Sequence, residues 1–407
     1  MKYIAEFEKK VFFVLFFFPI AVLSRSFILN LYFVFLSLAF LTLYFFQIKE
    51  VIKNNKIFIL IFCILLYLVF ISFFAEDIYI ALKSSSSQVR FFLFVLLLSS
   101  LVVSKKIMRN YCIFTSFLIL IVSGDALVQY FLGFNLFGLE GAKDRLSGLF
   151  GDELIVGTYI FLISIPIISN FSYEFKEKNN FYKIYYSVFY FICLVTILLS
   201  GERMSLILFL LSSLLIFFYN FKIKNTLFLI SFLILLISVI FNVSTPVKNR
   251  FTNFYQDVSS FNHSNHFRLF TGAYNIWNEN KFFGVGLKNY RYQCDTEIID
   301  EITKSPTLCS SHPHNFYLEF LAEAGLIGFF LYLFLFIYLI FLFFKKIKYL
   351  KKEFKGFYFG CLIIIITYVW PIKSSGSFFS TFTASFFWFN LGLLFLIINS
   401  NKDQDVK

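Results

Sequence analysis

The side chains best suited to chemistry are a pair of histidines near the start of a long apolar segment. His312 and His314 flank a proline, and His314 lies about where a helix would begin. A histidine with an ordinary pKa of about 6.5 can accept a proton near neutral pH, so we expect His314 to be a general base. A structural histidine that caps the helix is the alternative. Residues two apart do not share a helix face, and no third ligand is obvious, so we expect no metal here.

Arginines are the second group, because a guanidinium can bind phosphate oxygens in a bidentate geometry. Arg203 follows Ser200-Gly201-Glu202 at the predicted start of a helix, where the positive end of the helix dipole already favours an anion. A cation at that place calls for a negative partner, either a bound anion or a local acid such as Glu202. Arg268 lies in a polar stretch upstream of Gly284-Val285-Gly286.

Two further basic sites accompany these arginines. Arg145 belongs to Lys143-Asp144-Arg145-Leu146-Ser147-Gly148, where a glycine beside a basic residue suits either close approach to a phosphate or a plain re-entrant loop. Lys83 and Arg90 lie two helical turns apart within an apolar segment. A cation at that depth needs a bound anion, a water-filled cavity or an internal acid such as Asp125.

A base beside several guanidiniums predicts sugar transfer from a diphosphate-linked lipid. The arginines would hold the leaving diphosphate, while the histidine would deprotonate an acceptor hydroxyl. The sequence has no glycine-rich nucleotide loop, so we do not expect a soluble nucleotide donor. The first predicted outer loop has no acidic pair, and we expect neither a metal nor any other cofactor.

These groups are embedded in a very apolar chain. Hydrophobic residues make up 59% of its 407 residues, charged residues make up 15%, and the mean hydropathy is +0.78. This composition excludes an ordinary soluble protein and predicts an all-α, polytopic membrane protein with about twelve transmembrane helices. The expected spans are approximately 9–24, 27–47, 57–75, 78–103, 107–131, 153–171, 183–201, 203–221, 225–242, 317–344, 356–372 and 378–399.

Lysine and arginine predict the orientation of these spans. With the N-terminus in the cytoplasm, lysine clusters fall in every inner connection, whereas the short outer connections carry few basic residues. Both termini are then cytoplasmic, in a bacterial inner membrane, and the residues described above face the periplasm. The net charge of +12 follows this pattern, so it does not indicate a nucleic-acid partner.

One long polar stretch divides the chain into three parts. We expect transmembrane helices 1–9 in residues 1–242, a helical periplasmic cap in 243–316, and helices 10–12 with a cytoplasmic tail in 317–407. The stretch contains all four histidines and two cysteines, Cys294 and Cys309. An oxidising compartment permits a disulfide between them, and two free thiols are the alternative.

Taken together, these residues resemble the O-antigen ligase family, which shares a superfamily with O-antigen polymerases. The resemblance rests on Asp144-Arg145-Leu146-Ser147-Gly148, Leu199-Ser200-Gly201-Glu202-Arg203, Arg268 with Gly284-Val285-Gly286, and His312-Pro313-His314-Asn315 with Glu323-Ala324-Gly325. It implies a membrane glycosyltransferase of the GT-C type, independent of metal and ATP. Such an enzyme would move a polysaccharide from undecaprenyl diphosphate to lipid A–core, or to another glycan acceptor, at the periplasmic face.

The resemblance also implies roles for individual residues. His314 would be the catalytic base, and Arg203 and Arg268 would bind the diphosphate. Arg145 and Arg90 would be secondary contacts to the diphosphate. Glu202 departs from the small or polar residue that we expect beside the arginine. The residues expected to support the site are His312, Asn315, Glu323 and Lys83.

Three other functions compete with a lipopolysaccharide ligase. A polymerase that joins glycan repeat units, or a ligase that glycosylates proteins, would use the same donor and base. The single long outer loop favours a ligase of lipid A–core. A flippase or other transporter of lipid-linked oligosaccharides could also use buried arginines, but transporters commonly show repeated halves, and the sequence has no internal repeat.

Overall fold

The protein is a bundle of helices. A computed structural model describes residues 2–44, 52, 56–142, 145–294 and 308–403. Within these residues the regular structure is helical, apart from two isolated β-bridges. In chain order the helices are α1 (Lys2–Leu23), α2 (Arg25–Tyr44), α3 (Ile57–Ser72), α4 (Ile78–Ser87), α5 (Val89–Ser100), α6 (Lys105–Leu132), α7 (Val156–Glu174), α8 (Asn180–Leu199), α9 (Arg203–Asn220), α10 (Ile223–Val243), α11 (Thr245–Ser259), α12 (Asn265–Glu279), α13 (Tyr290–Gln293), α14 (Phe316–Ile347), α15 (Lys352–Tyr368) and α16 (Thr381–Asp403).

The predicted polytopic membrane architecture is confirmed. The described residues contain nine helical segments long and apolar enough to cross a bilayer. They are Ser26–Leu43, Ile78–Ser100, Lys105–Leu132, Val156–Glu177, Asn180–Leu199, Arg203–Asn220, Ile223–Val243, Phe316–Ile347 and Thr381–Asn401. The count of twelve stays a prediction, because the other three expected spans correspond to α1, α3 and α15. The apolar parts of α1 and α3 are the shorter segments Val11–Leu23 and Ile57–Ser72.

Polar residues at the helix starts explain where several of these helices begin. A side-chain oxygen one residue ahead of the helix accepts a backbone N–H of the first turn, which otherwise has no partner. Such caps are Ser104 before α6, Asn179 before α8, Ser244 before α11, Ser264 before α12 and Asn315 before α14.

The centre of the bundle is formed by α7 packed against α15. Two glycines of α15, Gly356 and Gly360, face α7 at a spacing of four residues. A Cβ atom added to Gly360 would lie 2.4 Å from the Cα of Pro166. Small residues at this spacing let two helix backbones approach closely, which replaces the hydrophobic driving force that is missing inside a bilayer.

The bundle has two distinct ends. At one end, Lys105 pairs with Glu353 at 3.9 Å, and Lys352 pairs with Glu177. The lysine-rich connections after α7 and before α15 therefore meet there. At the other end α7, α9 and α14 begin, and α15 stops, which places Arg203 and His314 at that end.

Residues 243–316, the expected cap, contain α11, α12 and α13 and dock onto a break in α14. Gly325 interrupts that helix with φ 64° and ψ −172°. The carbonyls of Ala322 and Glu323 then accept the N–H groups of Val285 and Gly286, each at 2.9 Å. Backbone groups freed by a kink must find partners at membrane depth, and the cap supplies them here.

Candidate active site

A cavity of about 1120 Å³ opens at the end of the bundle where the cap lies. Five stretches of chain form its walls: residues 145–158, the start of α9, the segment from α11 to α12, residues 312–315 and residues 370–376. Its lining includes the sequence-predicted Arg145, Arg203, His312, His314 and Asn315. The cavity therefore gathers side chains that are far apart in sequence.

His314 is held in place mainly through its own backbone and that of its neighbours. Its φ of 56° lies in the left-handed region that residues other than glycine seldom adopt. Its carbonyl accepts the N–H of Ser375 at 2.9 Å. The next residue, Asn315, caps α14 by accepting Tyr317 N–H at 3.0 Å, so the capping role falls to Asn315 rather than to His314. Such strain is typical of functional sites.

A third histidine, His266, lies beside the sequence-predicted pair. The His314 ring is centred 4.2 Å from the His312 ring and 6.2 Å from the His266 ring. Burial, followed by the charge of His266, lowers the pKa of His314 below its ordinary value. Burial and the neighbouring His314 likewise lower the pKa of His312 to about 4. His314 is therefore a neutral imidazole at neutral pH, the form that can accept a proton.

His266 was missed by the sequence analysis. It opens α12 two residues before Arg268, and only the tertiary fold brings it to the other two histidines. Among the described residues, no group of histidine, cysteine, aspartate or glutamate is arranged to hold a metal ion. In the sequence, the one indication that His266 belongs to the site is its position two residues before Arg268.

Arg203 enters the cavity at the start of α9 and is paired with an acid from the cap. Its Nη1 lies 3.3 Å from Asp257 Oδ2 on α11, and its guanidinium lies over the ring of Phe254 at 5.1 Å. This acid is not Glu202, which the sequence left as an alternative partner. Asp257 is 46% exposed, so a ligand anion can reach and replace it.

Glu202 instead caps the start of α7. Its Oε1 accepts Gly157 N–H at 2.6 Å, and its Oε2 accepts the N–H and the hydroxyl of Thr158. Burial raises the pKa of Glu202, although the Thr158 hydroxyl and the charge of Arg145 oppose that rise. A carboxylate at a helix N-terminus is favourable, so this acid links α7 to the turn that carries Arg203.

The other predicted basic residues are placed differently. Arg145 lines the cavity and donates from Nη2 to Leu154 O at 2.6 Å, while its neighbours Lys143 and Asp144 lie outside the described residues. Arg268 is half-buried on α12 and is not among the residues that line the cavity. The fold thus brings Arg145 and Arg203 to His314 and holds Arg268 in the adjoining helix.

Arg90 and Lys83 also lie away from the cavity lining. Arg90 donates from Nη2 to Thr381 Oγ1 at 3.3 Å, which replaces the alternative pairing with Asp125. Lys83 lies over the ring of Tyr79, 5.8 Å from its centre. Both residues belong to the candidate span Ile78–Ser100, and they contact Thr381 and Tyr79, respectively, rather than the cavity.

Glu323 and the glycines around it tie the cap to α14. A Cβ atom on Gly284 would lie 2.6 Å from the Gly325 nitrogen, so these two glycines allow the backbones to meet. Glu323 is fully buried beneath this contact. One turn earlier, Glu319 accepts Phe378 N–H at 2.7 Å and the Ser377 hydroxyl, to which Lys288 of the cap donates.

Cys294 and Cys309 are joined by a disulfide, with their Cα atoms 5.7 Å apart. The bond connects the end of α13 to the stretch that leads into His312 and His314. Residues 295–307 between the two cysteines lie outside the described part of the chain. The cross-link thus joins the histidine-bearing stretch to the cap, a few residues before it meets α14.

The segment 370–376, between α15 and α16, was not recognised from the sequence as part of the site. All seven of its residues line the cavity. Its Lys373 lies with Nζ 4.5 Å from the centre of the Phe316 ring and 4.8 Å from that of Tyr368. Burial lowers the pKa of Lys373 to about 7.

Comparison with known proteins finds a family similar to the middle part of the chain. Residues 188–333 match a family model described as O-antigen ligase, and this range contains Arg203, Arg268, His314 and Glu323. No curated protein matches the chain. Residues 188–333 are thus similar to the O-antigen ligase family, within a chain that carries several helices able to cross a membrane.

Proposed function

We propose that this protein transfers a polysaccharide from undecaprenyl diphosphate to a hydroxyl of lipid A–core at the periplasmic face. The observation that supports the proposal is that one cavity is lined by both the Arg203 guanidinium and the His314 imidazole. In this assignment Arg203 binds the diphosphate directly and Arg145 assists it. Arg268, on the adjoining helix α12, is assigned to the same diphosphate.

The proposed reaction begins when His314 removes the proton from the acceptor hydroxyl. The acceptor oxygen then attacks the anomeric carbon of the donor glycan, forming the new glycosidic bond while the bond between sugar and diphosphate breaks. The departing diphosphate gains negative charge, which the guanidiniums stabilise. The protonated His314 finally releases its proton to the diphosphate or to water, which regenerates the base.

The proposed orientation follows the lysine clusters. The end of the bundle that carries Lys105, Lys176 and Lys352 would face the cytoplasm, together with both termini. The cavity at the other end would then open to the periplasm, within the reach of a lipid-linked donor that lies in the same leaflet. The disulfide in the cap suits that oxidising compartment.

Reconstitution in proteoliposomes tests the proposed reaction directly. With a lipid-diphosphate glycan donor and lipid A–core as acceptor, the wild-type protein should form the ligated product, in the presence of EDTA as well as without it. His314→Ala, Arg268→Ala and Arg203→Lys should insert normally and form no product. Arg203→Lys should fail because the point charge of lysine does not reproduce the bidentate binding of a guanidinium. Full activity in all three variants would refute the mechanism.

A deletion strain separates a ligase from a polymerase of the same superfamily. If the protein is a ligase, long glycan chains should disappear from lipid A and accumulate on the lipid carrier. If it is a polymerase, lipid A should carry a single repeat unit instead. Gel analysis of the lipopolysaccharide and of the extracted lipid carrier distinguishes the two results.

A further inference from the structure

The cavity wall at residues 370–376 carries polar groups to which the proposed reaction assigns no role. Lys373 donates from Nζ to the carbonyl of Thr367 at 3.2 Å, and two aromatic rings flank its ammonium. An ammonium has three donors, and aromatic faces attract its charge without neutralising it. No carboxylate among the described residues lies within ion-pair distance of Lys373.

Two neighbours of Lys373 are suited to a sugar ligand. The Ser375 hydroxyl is buried and has no hydrogen-bond partner within the described part of the chain. A buried hydroxyl without a partner is costly, so a group that enters the cavity would satisfy it. Trp370 also lines the cavity and is 39% exposed, which leaves part of its ring available to a ligand.

This wall is connected directly to the base. Ser375 N–H donates to the carbonyl of His314, and Asn315 Nδ2 donates to the carbonyl of Pro371 at 3.0 Å. The acceptor hydroxyl must reach His314, whereas the diphosphate is assigned to Arg203 on a different element. A ligand held by residues 370–376 is therefore placed as an acceptor beside the base.

We propose that residues 370–376 form the acceptor subsite, where Trp370 packs on a sugar ring while Lys373 and Ser375 bind an anionic substituent of the acceptor. The inference rests on the proposed transferase function and adds the chemical class of its acceptor: a glycan that carries a phosphate or a carboxylate close to the reacting hydroxyl. The segment lies outside residues 188–333, so the family match does not include it.

Steady-state kinetics with varied acceptors test this subsite. The acceptors are lipid A–core, the same material after removal of its sugar phosphates, and the same material with its carboxylates reduced. Lys373→Met should raise the KM for native lipid A–core about tenfold and leave the KM for the lipid-linked donor unchanged. The substitution should have little effect on the acceptor that lacks the recognised anion, which identifies phosphate or carboxylate.

Controls make the result specific. Lys281→Met removes an exposed lysine of the cap that does not line the cavity, and it should leave both KM values unchanged. Lys373→Arg should retain part of the acceptor affinity, and Trp370→Ala should raise the KM for every acceptor. Unchanged acceptor KM in Lys373→Met, or a raised donor KM, would overturn the acceptor assignment. Failure of the wild-type protein to transfer to any acceptor would instead overturn the proposed function.

Discussion

His314, the proposed base, is held by the backbone around it and lies beside two other imidazoles. The hydrogen bond from Ser375 and the cap formed by Asn315 define its position, and burial, followed by the charge of His266, lowers its pKa. When a neutral imidazole in this cavity takes a proton, it becomes a partly buried cation. The anionic diphosphate of the proposed donor would pair with that cation. The low pKa of His314 thus matches its proposed role.

The pH dependence of transfer follows from this arrangement. Protonated His314 cannot act as a base, so the rate should fall as the pH drops through the pKa of His314, which lies below the ordinary value of about 6.5. His266→Gln removes a neighbouring positive charge, so the pKa should rise and the acidic limb of kcat/KM should move to higher pH. A limb that stays in place, or moves to lower pH, would contradict the influence assigned to His266.

A second residue-scale prediction concerns Asp257, which forms an ion pair with Arg203 at the cavity. Asp257→Asn should lower the donor KM roughly two- to fivefold, because the diphosphate no longer competes with a carboxylate for the guanidinium. The control is Glu153→Gln, which removes an acid from the same cavity lining without touching that pair. Equal effects of both variants on donor KM would indicate a general change in charge rather than competition at Arg203.

Sequence reasoning identified the residues that belong to local motifs and missed those that depend on tertiary contact. His314, Asn315 and Arg203 stand at helix starts with recognisable neighbours. Asp257 and Lys373 have no such local signal, because an acid on an amphipathic helix and a lysine in a short connection are ordinary features of a sequence, and His266 has only its position two residues before Arg268. Their place in the cavity depends on how the cap and the connection between α15 and α16 pack.

At the scale of elements, hydropathy was a reliable guide to the helices, and small residues explain how they pack. All twelve expected spans correspond to helical segments, but α1, α3 and α15 have shorter or less apolar stretches than a full crossing requires. The sequence could not show that Gly284 and Gly325 meet, because these two glycines come from the cap and from α14. Both glycines were noted from the sequence only as parts of motifs.

The packing of α15 on α7 gives a prediction at this scale. Gly360→Ala should destabilise the protein by about 1–3 kcal/mol, because the new methyl group would press against the α7 backbone at Pro166. Thermal unfolding in detergent, followed by circular dichroism or aggregation, measures the change. Gly124→Ala is the matched control, because a Cβ at this glycine of α6 meets nothing within 4 Å. Equal loss in both variants would show that the close contact is not responsible.

At the scale of the whole molecule, the proposed orientation can be tested by chemical labelling. We expect a cysteine introduced at Lys281, in the cap, to react with a membrane-impermeant maleimide on intact cells from which the outer membrane barrier has been removed. A cysteine at Lys176, at the opposite end of the bundle, should react only after the inner membrane is permeabilised. Both positions are exposed, so accessibility within the protein is matched. The reverse labelling pattern would place the cavity in the cytoplasm.

The division of the cavity among five distant stretches of chain also bears on biogenesis. Membrane insertion proceeds from the N-terminus, so the wall that carries Arg203 is threaded into the bilayer well before the stretch with His314, and residues 370–376 come last. A half-synthesised chain would therefore contain Arg203 and lack the imidazole that we propose as the base. Under the proposed mechanism, the base would be added after the diphosphate-binding arginine, and the proposed acceptor subsite would be added only after the penultimate helix, so transfer would require an almost complete chain.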